Sequence, residues 1–279
     1  MDVSSSIADI RRWRWAEPLA VWGFVPTMGF LHEGHLSLVR KARQENDRVS
    51  VSIFVNPIQF NDPNDLAAYP YDIDRDLNML KEIGVDLVWT PTPDIVYPNS
   101  YETFVDVEKV TQRLEGAARP GFFRGVTTVV AKLFNVFQPH RTYFGQKDAQ
   151  QAIVIKRMVE DLNFNIEVIV CPTIREADGL AMSSRNTRLS PTARQKATCL
   201  YHALCAARDL FEQGERDAER LKSTMTRTIE STDTARLDYV SVAHPDTLEE
   251  LKVIQDRALL SLAVFLDEVR LIDNIILEK

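Results

Sequence analysis

Two histidines three residues apart, His32 and His35, bracket a glutamate and a glycine in VPTMGFLHEGH, residues 25–35. Imidazoles bind metals, donate to phosphates or sit in plain turns. The zinc-protease pattern needs histidines four apart on one helix face, with glutamate between them. Here the spacing is three, and Gly34 directly precedes His35. The other histidines, His140, His202 and His244, are scattered. A glycine-bearing turn into a helix instead presents backbone N–H groups and the positive dipole end to an anion. A plain strand-to-helix turn with incidental histidines is the alternative.

Four further sets carry chemistry. Gly145, Gln146, Lys147 and Asp148 form GQKD, followed closely by Gln150 and Gln151. The lysine can reach phosphate oxygens and Asp148 can accept from ribose hydroxyls; a solvated charge and a helix cap are the blander reading. In READGLAMSSRN, residues 175–186, Asp178-Gly179 signals a turn. Met182, Ser183, Ser184 and Arg185 then bring two hydroxyls and a guanidinium together, a set suited to a polyphosphate or to a polar linker. Asn56 and Gln59 in FVNPIQF can read hydroxyls and a carboxylate without adding charge, or tie down a turn. Asp72, Asp74 and Asp76 can hold Mg²⁺ through water, or open a helix. The three cysteines, Cys171, Cys199 and Cys205, have no metal spacing and suit packing in a reducing compartment.

These residues need elements to position them. Apolar runs at 19–25, 48–55, 85–89, 141–145 and 165–170 read as buried strands. Helical spacing occupies 35–46, 73–83, 126–137 and 149–162 between them. Such alternation implies an α/β fold, a Rossmann-like, mostly parallel sheet with helices on both faces. Ligands then sit at the carboxyl ends of strands, where PTMG, NPIQF and GQKD lie. After about residue 175 the pattern changes. A long helix from Ser190-Pro191 through Phe211, another over 217–231, and three strands predict a smaller α+β domain. The expected division is a Rossmann-like domain at 1–175 and a smaller α+β domain at 176–279, with a loop near the boundary that could close over a ligand.

The formal charge of −7 over 279 residues argues against a general nucleic-acid binder. No apolar run reaches membrane-span length, and the N-terminus has no signal-peptide core, so a cytoplasmic protein is expected.

PTMGFLHEGH, FVNPIQF, LEGAARPGFFRGVTTVVAKLFNVFQP, YFGQKDAQQ and DGLAMSSRN, in this order, resemble the pantoate–β-alanine ligase family of the HxGH nucleotidylyl-transferase superfamily. The resemblance implies ATP-dependent condensation of D-pantoate with β-alanine through pantoyl adenylate, in a cytoplasmic homodimer using Mg²⁺. It places ATP on Met28, Gly29, Phe30, Leu31, His32, Glu33, Gly34 and His35, with His35 the proton donor. It extends the nucleotide site to Gly145, Gln146, Lys147, Asp148, Ile174, Met182, Ser183, Ser184 and Arg185. Catalysis would fall to His35, His32, Lys147, Ser183, Ser184 and Arg185. Gln59 and Gln151 would hold pantoate, Gln59 also β-alanine, and Asp76 would be the metal residue. Phe122, Gln146, Tyr71 and Arg75 depart from the commoner family pattern.

Overall fold

The structure, a computed structural model, describes residues 1–60 and 63–279. Among them, a short strand β1 (Asp2–Ser4) joins the parallel strands that the apolar runs become: β2 (Trp22–Thr27), β3 (Arg48–Ile53), β4 (Leu87–Trp89), β5 (Arg141–Gly145) and β6 (Glu167–Cys171). They align in the order β1-β4-β3-β2-β5-β6. Strand residues alternate between faces. Val25, Val49, Val51 and Ile53 pack with Leu36, Val39 and Leu80 of helices Glu33–Glu45 and Ile73–Ile83. On the other face Phe24 stacks on Phe137 at 4.4 Å and meets Phe134 edge-on, both from helix Phe122–Phe137. Cover on both faces explains why these strands read as continuous apolar runs.

The strand order reverses between β2 and β5, so Thr27, Ile53 and Gly145 end three neighbouring strands. That is the switch point at which open α/β sheets bind ligands.

The chain divides into two compact units, residues 1–145 with 150–172, and residues 146–149 with 173–279. The second contains an antiparallel sheet of β7 (Ala235–Ala243), β8 (Arg257–Leu266) and β9 (Val269–Glu278). Leu260, Leu262 and Val264 on one face of β8 share a core with Leu200, Leu204, Leu221 and Met225. No described helix is long and apolar enough to cross a membrane.

Three local expectations are corrected. The helix expected through Phe211 is two, Pro191–Lys196 and Cys199–Glu212. At the break, the Thr198 hydroxyl donates to Gln195 O at 3.2 Å, a local bond that competes with the helix. β2 begins later and ends later than the apolar run, so Pro26 and Thr27 are strand residues rather than loop. The three-residue edge strand β1 was not anticipated.

Candidate active site

β2 ends at Thr27, whose hydroxyl donates to Ser52 O at 2.8 Å and accepts from Gly29 N–H at 3.2 Å. Gly29 and Phe30 then take left-handed backbone, with φ of 84° and 48°. Only glycine fits position 29 well: a Cβ there would meet Ile53 Cγ2 at 2.9 Å. The next amide, Leu31 N–H, donates to Asp76 Oδ1 at 2.8 Å, and Arg75 donates to Leu31 O at 2.9 Å. Adjacent residues of helix Ile73–Ile83 therefore clasp the turn through both polar groups of Leu31.

His32 is the N-cap of helix Glu33–Glu45. Its Nδ1 accepts Gly34 N–H at 3.1 Å, and His35 Nδ1 accepts His32 N–H at 3.3 Å. The rings lie 4.0 Å apart, centroid to centroid. With both Nδ1 atoms accepting, the proton of each neutral ring belongs on Nε2, which makes Nε2 a donor. The 13-residue helix adds the positive end of its dipole. Two imidazoles at a helix N-terminus are a set that suits an anion.

Beyond β3, a 3-10 turn at Pro57–Gln59 presents Gln59. Tyr97 Oη donates to Asn56 Oδ1 at 2.8 Å, and Asn56 Nδ2 donates to Gln59 Oε1 at 3.0 Å and to Gly125 O at 3.1 Å. Gln59 Nε2 reaches Met28 Sδ at 2.8 Å. The structure thus brings Gln59 and the Met28 turn together. Asn56 is buried and serves Gln59 rather than standing beside it. Gln150 is likewise structural, accepting from Glu115 N–H and donating to the carbonyls of Val110 and Arg113, while Gln151 is only half-buried.

In the second unit, Gln146, Lys147 and Asp148 form a 3-10 turn, with Lys147 Nζ 3.5 Å from Asp148 Oδ1. Ile174 O accepts Met182 N–H at 3.0 Å, and Arg175 bridges to Ala181 as an antiparallel pair, so the 175–182 loop folds back on itself. Ser183 Oγ accepts Arg185 N–H, and Asn186 donates to Glu176 and to Ala181 O. Arg194 closes this frame through Glu176 and Asp178, which raises its own pKa and holds Asp178 below the usual carboxylate range.

Asp76 does not suit a protein-built magnesium cage. Its side chain is 1% exposed and Oδ1 is engaged by the Leu31 amide. Burial pushes this carboxyl above its ordinary range, against the pull of the Leu31 and Phe30 amides. Among the described residues there is no group of three His, Cys, Asp or Glu placed to hold a metal. Burial also pushes the Cys199 thiol up to about 11, and Cys171 upward, so neither thiol is primed as a nucleophile.

Of the family departures, Arg75 has a defined job on Leu31, and Phe122 lies 3.8 Å under the Arg119 guanidinium, which donates to Gln59 O. Tyr71 is exposed and nothing in the structure explains it. Tyr97 and Asn274, which hold candidate residues in place, carry no local motif, and Arg119 sits in LEGAARPGFFRG without a role read from it; their partners lie 41, 127–128 and 60 residues away.

The family model for pantoate-beta-alanine ligase matches residues 2–276. Pantothenate synthetase of Roseiflexus sp. (strain RS-1) is 54% identical, covering 100% of both chains. That of Moorella thermoacetica is 56% identical over 92% of this chain and 90% of its own. Among solved structures, pantothenate synthetase from Thermus thermophilus superposes with TM-score 0.94 at 46% identity, covering 99% of each chain. Pantoate-beta-alanine ligase from Francisella tularensis, complexed with beta-gamma ATP and beta-alanine, gives TM-score 0.81 at 36% identity, covering 99% of this chain and 97% of its own. With this coverage and the matching parallel sheet, the chain belongs to the pantoate–β-alanine ligase family.

Proposed function

We infer that this chain condenses D-pantoate with β-alanine to pantothenate, converting ATP to AMP and pyrophosphate. The whole-chain family match, at 54% identity to a full-length relative, carries the reading. The beta-gamma ATP and beta-alanine of the Francisella complex support two of the three substrates.

In the first step a pantoate carboxylate oxygen attacks the α-phosphorus of ATP. The bond to the bridging oxygen breaks, and pyrophosphate leaves with the electron pair. In the second, the β-alanine amine attacks the acyl carbonyl of pantoyl adenylate, AMP departs and the amine loses a proton. No protein nucleophile is needed, in keeping with the protonated, buried cysteines. Positioning and charge stabilisation do the catalysis.

We assign the phosphates to the turn formed by Met28, Gly29, Phe30, Leu31, His32, Glu33, Gly34 and His35, where the Nε2 donors and helix N-terminus serve an anion. Lys147, Ser183, Ser184 and Arg185 balance charge that grows on departing pyrophosphate. Gly145, Gln146, Asp148, Ile174 and Met182 complete the nucleotide contacts. Gln59 and Gln151 take pantoate, and Gln59 also β-alanine, as neutral amides suited to hydroxyls and a carboxylate. Mg²⁺ would enter with the nucleotide phosphates rather than on a protein cage, which fits the burial of Asp76. A cytoplasmic homodimer, with residues 176–279 closing the site, is the family expectation we retain.

The test is isotope exchange between pyrophosphate and ATP with Mg²⁺, before β-alanine is added. Exchange that requires D-pantoate supports the adenylate step and its acid together. Exchange that ignores pantoate, or silence from folded protein, overturns the reading.

A further inference from the structure

Adjacent residues of β9 organise two segments of the second unit. Asn274 is 4% exposed and makes three hydrogen bonds to the turn that carries Lys147. Its Nδ2 donates to Gln146 O at 3.0 Å and to Lys147 O at 2.9 Å, while its Oδ1 accepts from Gln146 Nε2 at 2.9 Å. The neighbouring Asp273, 2% exposed, takes a bidentate pair from Arg175 at 2.6 and 2.9 Å. The same guanidinium donates to Gly179 O at 3.1 Å and lies 4.1 Å from the Tyr201 ring centroid. One dipeptide of β9 therefore holds both the backbone under Lys147 and the start of the 175–186 loop.

A lysine ammonium is a compact charge on a flexible four-carbon stem. What limits its reach toward a fixed phosphate is the placement of its own backbone. The turn at Gln146–Asp148 is a single 3-10 turn, and Asn274 supplies side-chain donors to two of its carbonyls. A neutral amide does this without placing a second charge beside the ammonium.

We propose that Asn274 is a positioning residue for Lys147, fixing the carbonyls of residues 146 and 147 so that the ammonium meets the leaving pyrophosphate. This rests on the reading above that Lys147 acts in adenylate formation. Gln146 takes part by the same geometry: an amide there donates to Asn274 Oδ1 and leaves Asn274 Nδ2 for the two carbonyls.

The experiment is a double-mutant cycle on the full chain, using pantoate-dependent pyrophosphate–ATP exchange. N274A should lower the exchange kcat on the order of 30-fold, the scale expected for a small misplacement of a charged group, with pantoate KM within about twofold of wild type. In a K147A background, N274A should cost less than about threefold more, because the group it positions is gone. N274D keeps the volume but removes both donors, so it should match or exceed the N274A loss. Near-normal exchange by N274A, or losses that multiply in full across the cycle, would overturn the proposal. So would failure of both N274A and N274D to fold, since that would make Asn274 a folding residue. A wild-type chain with no pantoate-dependent exchange is a separate result, and strikes the reaction rather than the positioning.

Discussion

His35 accepts the backbone N–H of His32 through Nδ1, at 3.3 Å, while the His32 ring accepts that of Gly34. The two imidazoles cap one helix reciprocally, a role more often filled by a hydroxyl and a glutamate. Capping occupies Nδ1 of both rings, and the proposed phosphate contacts fall to the opposite nitrogen, Nε2.

These duties can be separated. H35A should cut adenylate formation by at least about 100-fold and lower stability by about 1 kcal/mol through loss of the cap. Glutamine at N3 can still reach back to the cap amide, so H35Q should recover the unfolding midpoint but not the activity. Thermal unfolding and pyrophosphate exchange on the same samples check this. Restored turnover in H35Q would remove the imidazole from the chemistry.

Lys147→Ala should reduce exchange by at least about 100-fold, with the pantoate requirement little changed, if its charge serves the departing phosphates as proposed. Steady-state exchange at varied pantoate is the measurement. A loss confined to pantoate KM would reassign the lysine to acid binding.

Gly125 lies against the turn that carries Gln59: a Cβ at 125 would stand 2.6 Å from Ile58 O and 3.0 Å from Gln59 Cα. G125A should therefore push that turn aside and raise pantoate KM by about tenfold, with ATP KM within about threefold. Q59A should show the same asymmetry. Equal effects on both substrates would count against Gln59 as the pantoate amide.

Asp76 gives a pH prediction with a definite sign. Its folded carboxyl titrates above the ordinary value of 3.8 because of burial. Between those values the folded chain binds more protons, so this group's stabilising contribution is full below the unfolded value and fades as pH rises through the folded one. D76N lacks that dependence. The difference in unfolding midpoint, D76N minus wild type, should grow as pH rises above the ordinary carboxyl value of 3.8 in differential scanning fluorimetry. A constant difference would place the ionisation elsewhere.

The parallel sheet was legible because β2, β3, β5 and β6 are short apolar runs separated by helical spacing, and each stays local in sequence. The Met28–His35 segment was legible as a glycine-bearing strand-to-helix turn, but its clasp was not. Arg75 and Asp76 lie 44 and 45 residues from Leu31, and only the folded packing of two helices pairs them. The break at Ala197–Thr198 was hidden for another reason: neither residue is a helix breaker, and the competing bond comes from a hydroxyl. Residue type left Asn56 open as a ligand contact or as an amide tying down a turn, and only its burial makes it the support of Gln59.

The contact between Asn274 and the Lys147 carbonyl spans 127 residues of chain. Contacts of such long range slow folding, and chain emerging from a ribosome offers residue 147 long before residue 274. A nascent chain can therefore form the β2–β3 pairing and the histidine-capped turn while the lysine's backbone still lacks its partner. Adenylating power would arrive as a late step in biogenesis, after the last strand has joined its sheet. Partly made molecules would not turn ATP into a reactive acyl adenylate with no finished pocket to consume it.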